Sequence, residues 1–98
     1  MRIEIASTRR ERMRGLRGRE ALAPDEALLI PNCRSVHTFG MRFPIKVVFL
    51  DRGLRAVEVI EMRPNRVARP RFRARHIFEC SVNAEIWIGE SLRLPSGS

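Results

Sequence analysis

The chain has 98 residues, 44% of them apolar, and a formal net charge of +8 that is almost entirely arginine, Lys46 being the single lysine. This length sets an expectation of one domain, residues 1–95, with a modest core and no need of staples. No apolar run is long enough for a membrane span. A basic balance admits nucleic acid, anionic head groups or acidic polymers as partners. Drift toward arginine in a GC-rich genome is the simpler reading, since net charge speaks to non-specific binding and not to fold.

Arg2 to Ala6 alternates as a short strand from the outset, with no charged-then-apolar leader, so a cytoplasmic location is expected. Thr8 followed by Glu11 has capping-box spacing and opens a short helix, Arg9–Leu16, which Gly15 and Gly18 bring to its end. Met13 and Leu16 form its thin apolar stripe, and its outer face is arginine. Ala27 to Ile30 is a compact strand. Val36 to Met41 predicts a strand that holds Phe39 inward. Ile45 to Leu50 predicts the central strand, since Val47 to Leu50 are apolar on both faces. Asp51-Arg52-Gly53 predicts a hairpin turn into a partner strand, Leu54 to Ile60. Residues 62–73 read as irregular, with Pro64, Asn65 and Pro70 marking turns. Arg75 to Cys80 is another strand, Ser81 to Ile88 is ambiguous, and Leu92-Arg93-Leu94 is a last short strand before a disordered tail, 96–98. Several short strands and one early helix predict a mostly β domain: an antiparallel sandwich or barrel.

The chemistry-bearing residues are few. Cys33, His37, His76 and Cys80 have the inventory of a zinc site, but residues four apart on a strand are separated by about 13 Å, so no metal and no cofactor are expected. With no secretion signal, both cysteines are expected as free thiols. A cysteine nucleophile with a histidine base, either thiol with either imidazole and Cys33 or His37 foremost, gives a hydrolase-like alternative, set against the commoner role of cysteine as inert packing. Glu58, Glu61, Glu79 and Glu85 are expected to face solvent or pair with arginines. Arg9–Arg19 and Arg63–Arg75 lie near Phe39, Phe43 and Phe72, as in RNA-binding sheets. The order of Phe39-Gly40-Met41-Arg42-Phe43 does not fit an RNA-recognition motif, so nucleic acid is the less favoured partner and the phenylalanines are expected in the core.

Phe39, Met41, Arg42, Pro44-Ile45, Val47 to Leu50, Asp51 and Gly53 together resemble the signature of the family of domains of unknown function number 192, small bacterial and archaeal proteins. Arg14-Gly15-Leu16-Arg17-Gly18-Arg19 is similar to the ending of that family's first helix, and Pro24 to Leu29 to its next segment. Gly89-Glu90-Ser91-Leu92 stands where the family has Gly-Asp-x-Leu. The resemblance implies a small β-rich domain with a jelly-roll-like or barrel-like sheet, and no established activity or cofactor. Many relatives are exported. Where the family has Asp after Pro-Ile, this chain has Lys46, which weakens the case for a catalytic carboxylate there.

These readings converge on a binding or accessory module rather than an enzyme. The expected groove lies near His37, Phe39, Met41, Arg42 and Lys46 and the arginines Arg63, Arg66, Arg69, Arg71 and Arg73. Arg42 would hold an anionic small molecule or polymer, its planar fork suiting carboxylate or phosphate.

Overall fold

A computed structural model describes residues 2–93. It contains strands β1 (Arg2–Ile5), β2 (Glu26–Ile30), β3 (Val36–His37), β4 (Ile45–Leu50), β5 (Ala56–Met62), β6 (Val67–Ala68) and β7 (His76–Cys80), and one helix, α1 (Arg9–Arg14). The mostly β expectation is borne out. Five strands form one sheet in the order β1-β2-β7-β4-β5, and β3 pairs with β6 in a second, two-stranded sheet. The large sheet ends at β1 and β5 and does not close into a barrel. The pairs β2–β7, β7–β4 and β4–β5 are antiparallel. The pair β1–β2 is parallel, the exception in a mostly antiparallel sheet. Its cause is the crossover through α1, which returns the chain to the end of the sheet where β1 began. No helix among the described residues is long and apolar enough to cross a membrane.

Strand β4 is central, as its two apolar faces predict: it pairs with β5 on one side and β7 on the other. Alternation then divides the core. Ile45, Val47 and Phe49 pack with Leu28, Ile30, Ile77, Leu16 and Met41 on one face. Val48 and Leu50 pack with Leu29, Phe78, Cys80, Ala84 and Ile86 on the other. The 81–92 segment covers this second face without forming a helix or a strand of its own. Its end is tied down where the Leu92 amide donates to the Leu54 carbonyl. Leu94, assigned to a last strand, and the 96–98 tail lie outside the described residues.

The β4–β5 connection is longer than three residues. Asp51 Oδ1 accepts from the amides of Gly53 and Arg55, each at 2.9 Å, and Leu54 takes φ +65°, so β5 starts at Ala56 instead of Leu54. Helix α1 begins as its capping box predicts: Thr8 Oγ1 accepts from the Glu11 amide at 3.0 Å, and Glu11 Oε1 from the Thr8 amide at 2.9 Å. The helix buries none of its own residues and ends at Gly15, where φ is +55°. Its anchor is Leu16, one residue further on and fully buried against the first face. Met13 does not join that core; it is 67% exposed.

Candidate functional site

Anchoring α1 only through Leu16 leaves a gap between the helix and the sheet. The gap is a cleft of ≈ 390 Å³. Arg9, Arg12, Met13 and Arg14 line it from the helix, Gly15 to Arg17 from the following loop, and Cys33, His37, Phe39 and Met41 from the chain leaving β2. Ile30 and Glu79 line it from the sheet.

Glu79 corrects the sequence reading, which placed it in solvent or against an arginine. Its register opposite Leu28 on β2 and Val47 on β4 puts its carboxyl on the first face, among apolar residues. It is 3% exposed, and among the described residues its Oε1 has no hydrogen-bond partner. Burial pushes its pKa up to about 7, against the opposing pull of the Leu16 backbone amide and the Arg19 charge. Gly15 stands over the same oxygen: a Cβ there would lie 3.3 Å from Oε1. The missing side chain keeps the carboxyl reachable from the cleft. One signal in the sequence did point to this burial. Ile77, Phe78 and Cys80 leave β7 apolar on both faces, and a charged residue inside such a strand has no solvent to face.

Cys33 and Cys80 do not meet. Cys80 packs on the second face and Cys33 on the first, and both are free thiols. The Cys33 thiol donates to the Ser35 carbonyl at 3.0 Å. Burial, with the Glu79 charge adding to it, pushes the pKa of Cys33 up, while Arg12 pulls it down. Among the described residues no hydrogen bond joins His37 to this thiol. The His37 Nδ1 accepts from the Phe39 amide at 3.3 Å, and its ring stacks on Phe39 with centroids 5.0 Å apart. Iodoacetamide at pH 7.5 will therefore alkylate Cys33 about threefold or more slowly than a free cysteine, because the thiolate is the nucleophile. Cys80, whose pKa is raised to about 11 by burial, will react only on unfolding. A Cys33 rate above that of free cysteine, read by mass spectrometry, would restore the hydrolase-like reading. Among the described residues no three His, Cys, Asp or Glu side chains gather as a metal would require.

The stretch from Val36 to Met41 is a clasp rather than one long strand. Only Val36 and His37 pair, with Ala68 and Val67. Thr38 is fully buried, and its hydroxyl donates to the Arg63 carbonyl at 2.6 Å and accepts from the Arg66 amide at 2.9 Å. Its carbonyl accepts from the amides of Met41 and Asn65. Gly40 donates to Asn65 Oδ1 at 3.1 Å with φ +78°, and a Cβ there would press on Arg17 Cδ at 3.2 Å. The Arg17 stem thus lies across the clasp and joins the α1 loop to the far wall of the cleft. Phe39, expected to point inward, is 48% exposed, because the turn after Thr38 carries it out of the strand pairing. Phe72, also expected in the core, is 99% exposed.

The expected groove is divided. His37, Phe39 and Met41 line the cleft, whereas Arg42 does not: it sits in solvent within 3.5 Å of Glu20. Lys46 points to the second face, where its Nζ donates to the Ala84 carbonyl at 2.5 Å. The exchange of the family's Asp for Lys46 thus changes the face away from the cleft. Arg63, Arg66, Arg69 and Arg71 line a separate, more open depression, which Arg73 does not. Arg71 is already engaged there. It makes two hydrogen bonds to Glu58, at 2.9 and 3.1 Å, and covers the buried Phe49 ring at 4.7 Å.

Comparison with known proteins places this geometry in company. A family model described as DUF192, uncharacterized ACR, matches residues 1–87. The UPF0127 protein of Pyrococcus horikoshii is 44% identical over 45 residues, which cover 46% of this chain and 39% of that protein. A crystal structure of a protein of unknown function from Novosphingobium aromaticivorans superposes with a TM-score of 0.71 at 17% identity, covering 81% of this chain and 61% of the other. A suggested transcription regulator from Sinorhizobium meliloti superposes with a TM-score of 0.72 at 19% identity, covering 81% and 67%. The chain thus spans less than two thirds of the Pyrococcus and Novosphingobium relatives, and the two superpositions establish the fold alone.

Proposed function

This chain belongs to the DUF192 family, and from that premise we propose that it is a binding module for a small anionic ligand with an apolar body, held in the cleft beneath α1. One observation carries the reading. Arg9, Arg12 and Arg17 line a cleft whose other walls include Met13, Leu16, Ile30, Phe39 and Met41, and among the described residues none of the three guanidinium groups has a carboxylate partner. A guanidinium left unpaired beside an apolar wall suits a ligand that brings its own carboxylate or phosphate. The apolar wall suits the rest of that ligand. His37 and Phe39, stacked and partly exposed, offer a flat surface for a ring. Arg63, Arg66 and Arg69 form a second basic surface that would extend contact to an acidic polymer.

The test uses para-toluate, an aromatic carboxylate small enough for the cleft, followed by amide NMR shifts. Binding should perturb the residues around Phe39 and Met41. Arg17→Ala combined with Arg9→Ala should weaken it about tenfold, and Lys46→Ala should leave it unchanged. Shifts confined to Arg63–Arg69, or none at all, would sink the reading. A single-stranded oligonucleotide provides the contrast. Tight binding that falls steeply with salt would assign the arginines to nucleic acid instead.

A further inference from the structure

The arginines account for the rim of the cleft and leave its floor unexplained. The floor holds an ionisable carboxyl oxygen that is buried and, among the described residues, without a partner. An unsatisfied buried polar atom costs a fold stability, and more when it carries charge. A leucine at the same place, between Leu28 and Val47 across the sheet, would carry no such cost. The glycine above Oε1 removes the one side chain that would close over it. Cost that the Leu16 amide and the Arg19 charge offset only in part, in a side chain that lines a cleft, is the arrangement of a group whose partner arrives from outside.

We propose that Glu79 is the inner contact of the cleft and accepts a hydrogen bond from an amino group at the buried end of a ligand whose anionic end meets the arginines of α1. The ligand class is therefore an amino-bearing anion with a short apolar middle. This rests on the binding reading above and adds a second, opposite polarity to it. The surroundings of Glu79 leave the role to a ligand. Leu28 of β2 and Val47 of β4 flank it. The charged or titratable groups near it are Arg19 after α1, Cys33 after β2 and Cys80 on β7, with Arg12 of α1 and His37 of β3 along the cleft. Arg19 is engaged by Glu4 at 2.8 Å. An ammonium entering past Gly15 would supply the donor that Oε1 lacks.

The experiment compares para-(aminomethyl)benzoate with para-toluate, which differ only by the amino group, at pH 8 by calorimetry. The wild-type chain should bind the amino compound about tenfold more tightly, and Glu79→Gln should remove that preference, so that the variant binds the two compounds alike. The carboxyl carbon-13 signal of Glu79 should then titrate at lower pH with the amino compound bound, since an ammonium favours the carboxylate. Equal affinities in the wild type, or a preference that survives Glu79→Gln, would overturn the proposal and leave the arginine reading standing. If neither compound binds, both fall together.

Discussion

Glu79→Gln will be more stable than the wild-type chain at pH 8, by about 3 kcal/mol, and the gain will disappear as the pH drops toward 4.5. The reason is linkage. In the unfolded chain the carboxyl titrates near its ordinary 4.5; in the fold burial raises this to about 7. A raised acid binds its proton more tightly when folded, so its contribution is fully present below the unfolded pKa. It is lost as the pH rises toward 7 and is constant above. At about 1.4 kcal/mol per unit, the span from 4.5 to about 7 gives the stated magnitude. Glutamine keeps the shape and removes the titration. Urea unfolding at intervals between pH 4.5 and 8 measures both curves. Parallel curves for the two proteins would mean that Glu79 is not desolvated in the fold.

The second large effect concerns Thr38. Thr38→Val should cost about 2–3 kcal/mol, because valine fills the same volume yet leaves the Arg63 carbonyl and the Arg66 amide without the hydroxyl that serves both. Thr38→Ser keeps the hydroxyl and should cost under about 1.5 kcal/mol, the loss of one methyl group. The lesion should also be local. β3 and β6 share only two residue pairs, so the clasp supplies most of what holds them together. Hydrogen exchange at Asn65 and Arg66 should quicken in the valine variant more than exchange in β4 does. A valine variant within about 0.5 kcal/mol of wild type would show that water takes over the hydroxyl's bonds.

How legible these two residues are from sequence explains what can be read before the fold is known. Ile45 to Leu50 declares itself because Val47 to Leu50, four apolar positions in a row, leave no polar face, and both of its neighbours prove to be strands. The capping box at Thr8 and Glu11 is equally local and appears as predicted. Glu79 and Thr38 are not local. One depends on which strands flank β7 and the other on a loop that begins 25 residues away. The parallel β1–β2 pair depends on reading strand, helix and strand as one unit, although each piece alone also suits an antiparallel sheet. Of the expected groove, His37, Phe39 and Met41 come together because they are neighbours in sequence. Arg42 is also a neighbour but falls past the turn, and alternation along β4 sends Lys46 to the opposite face. The basic segment joins β5 to β7, contains β6, and lines a depression of its own.

The strand order has a consequence during synthesis. β7 lies between β2 and β4, yet it is the last strand of the sheet to leave the ribosome. Until Cys80 emerges, β1–β2 and β4–β5 can each form only a two-stranded ribbon, each with an apolar edge awaiting the same partner. Two such edges on one nascent chain are free to pair with edges on other chains, a hazard that grows with the time they stay open. Insertion of a single strand closes both edges at once, and that strand carries Glu79. The sheet becomes continuous and the cleft gains its floor in the same step, so no partly built chain can present the rim arginines together with the carboxyl beneath them.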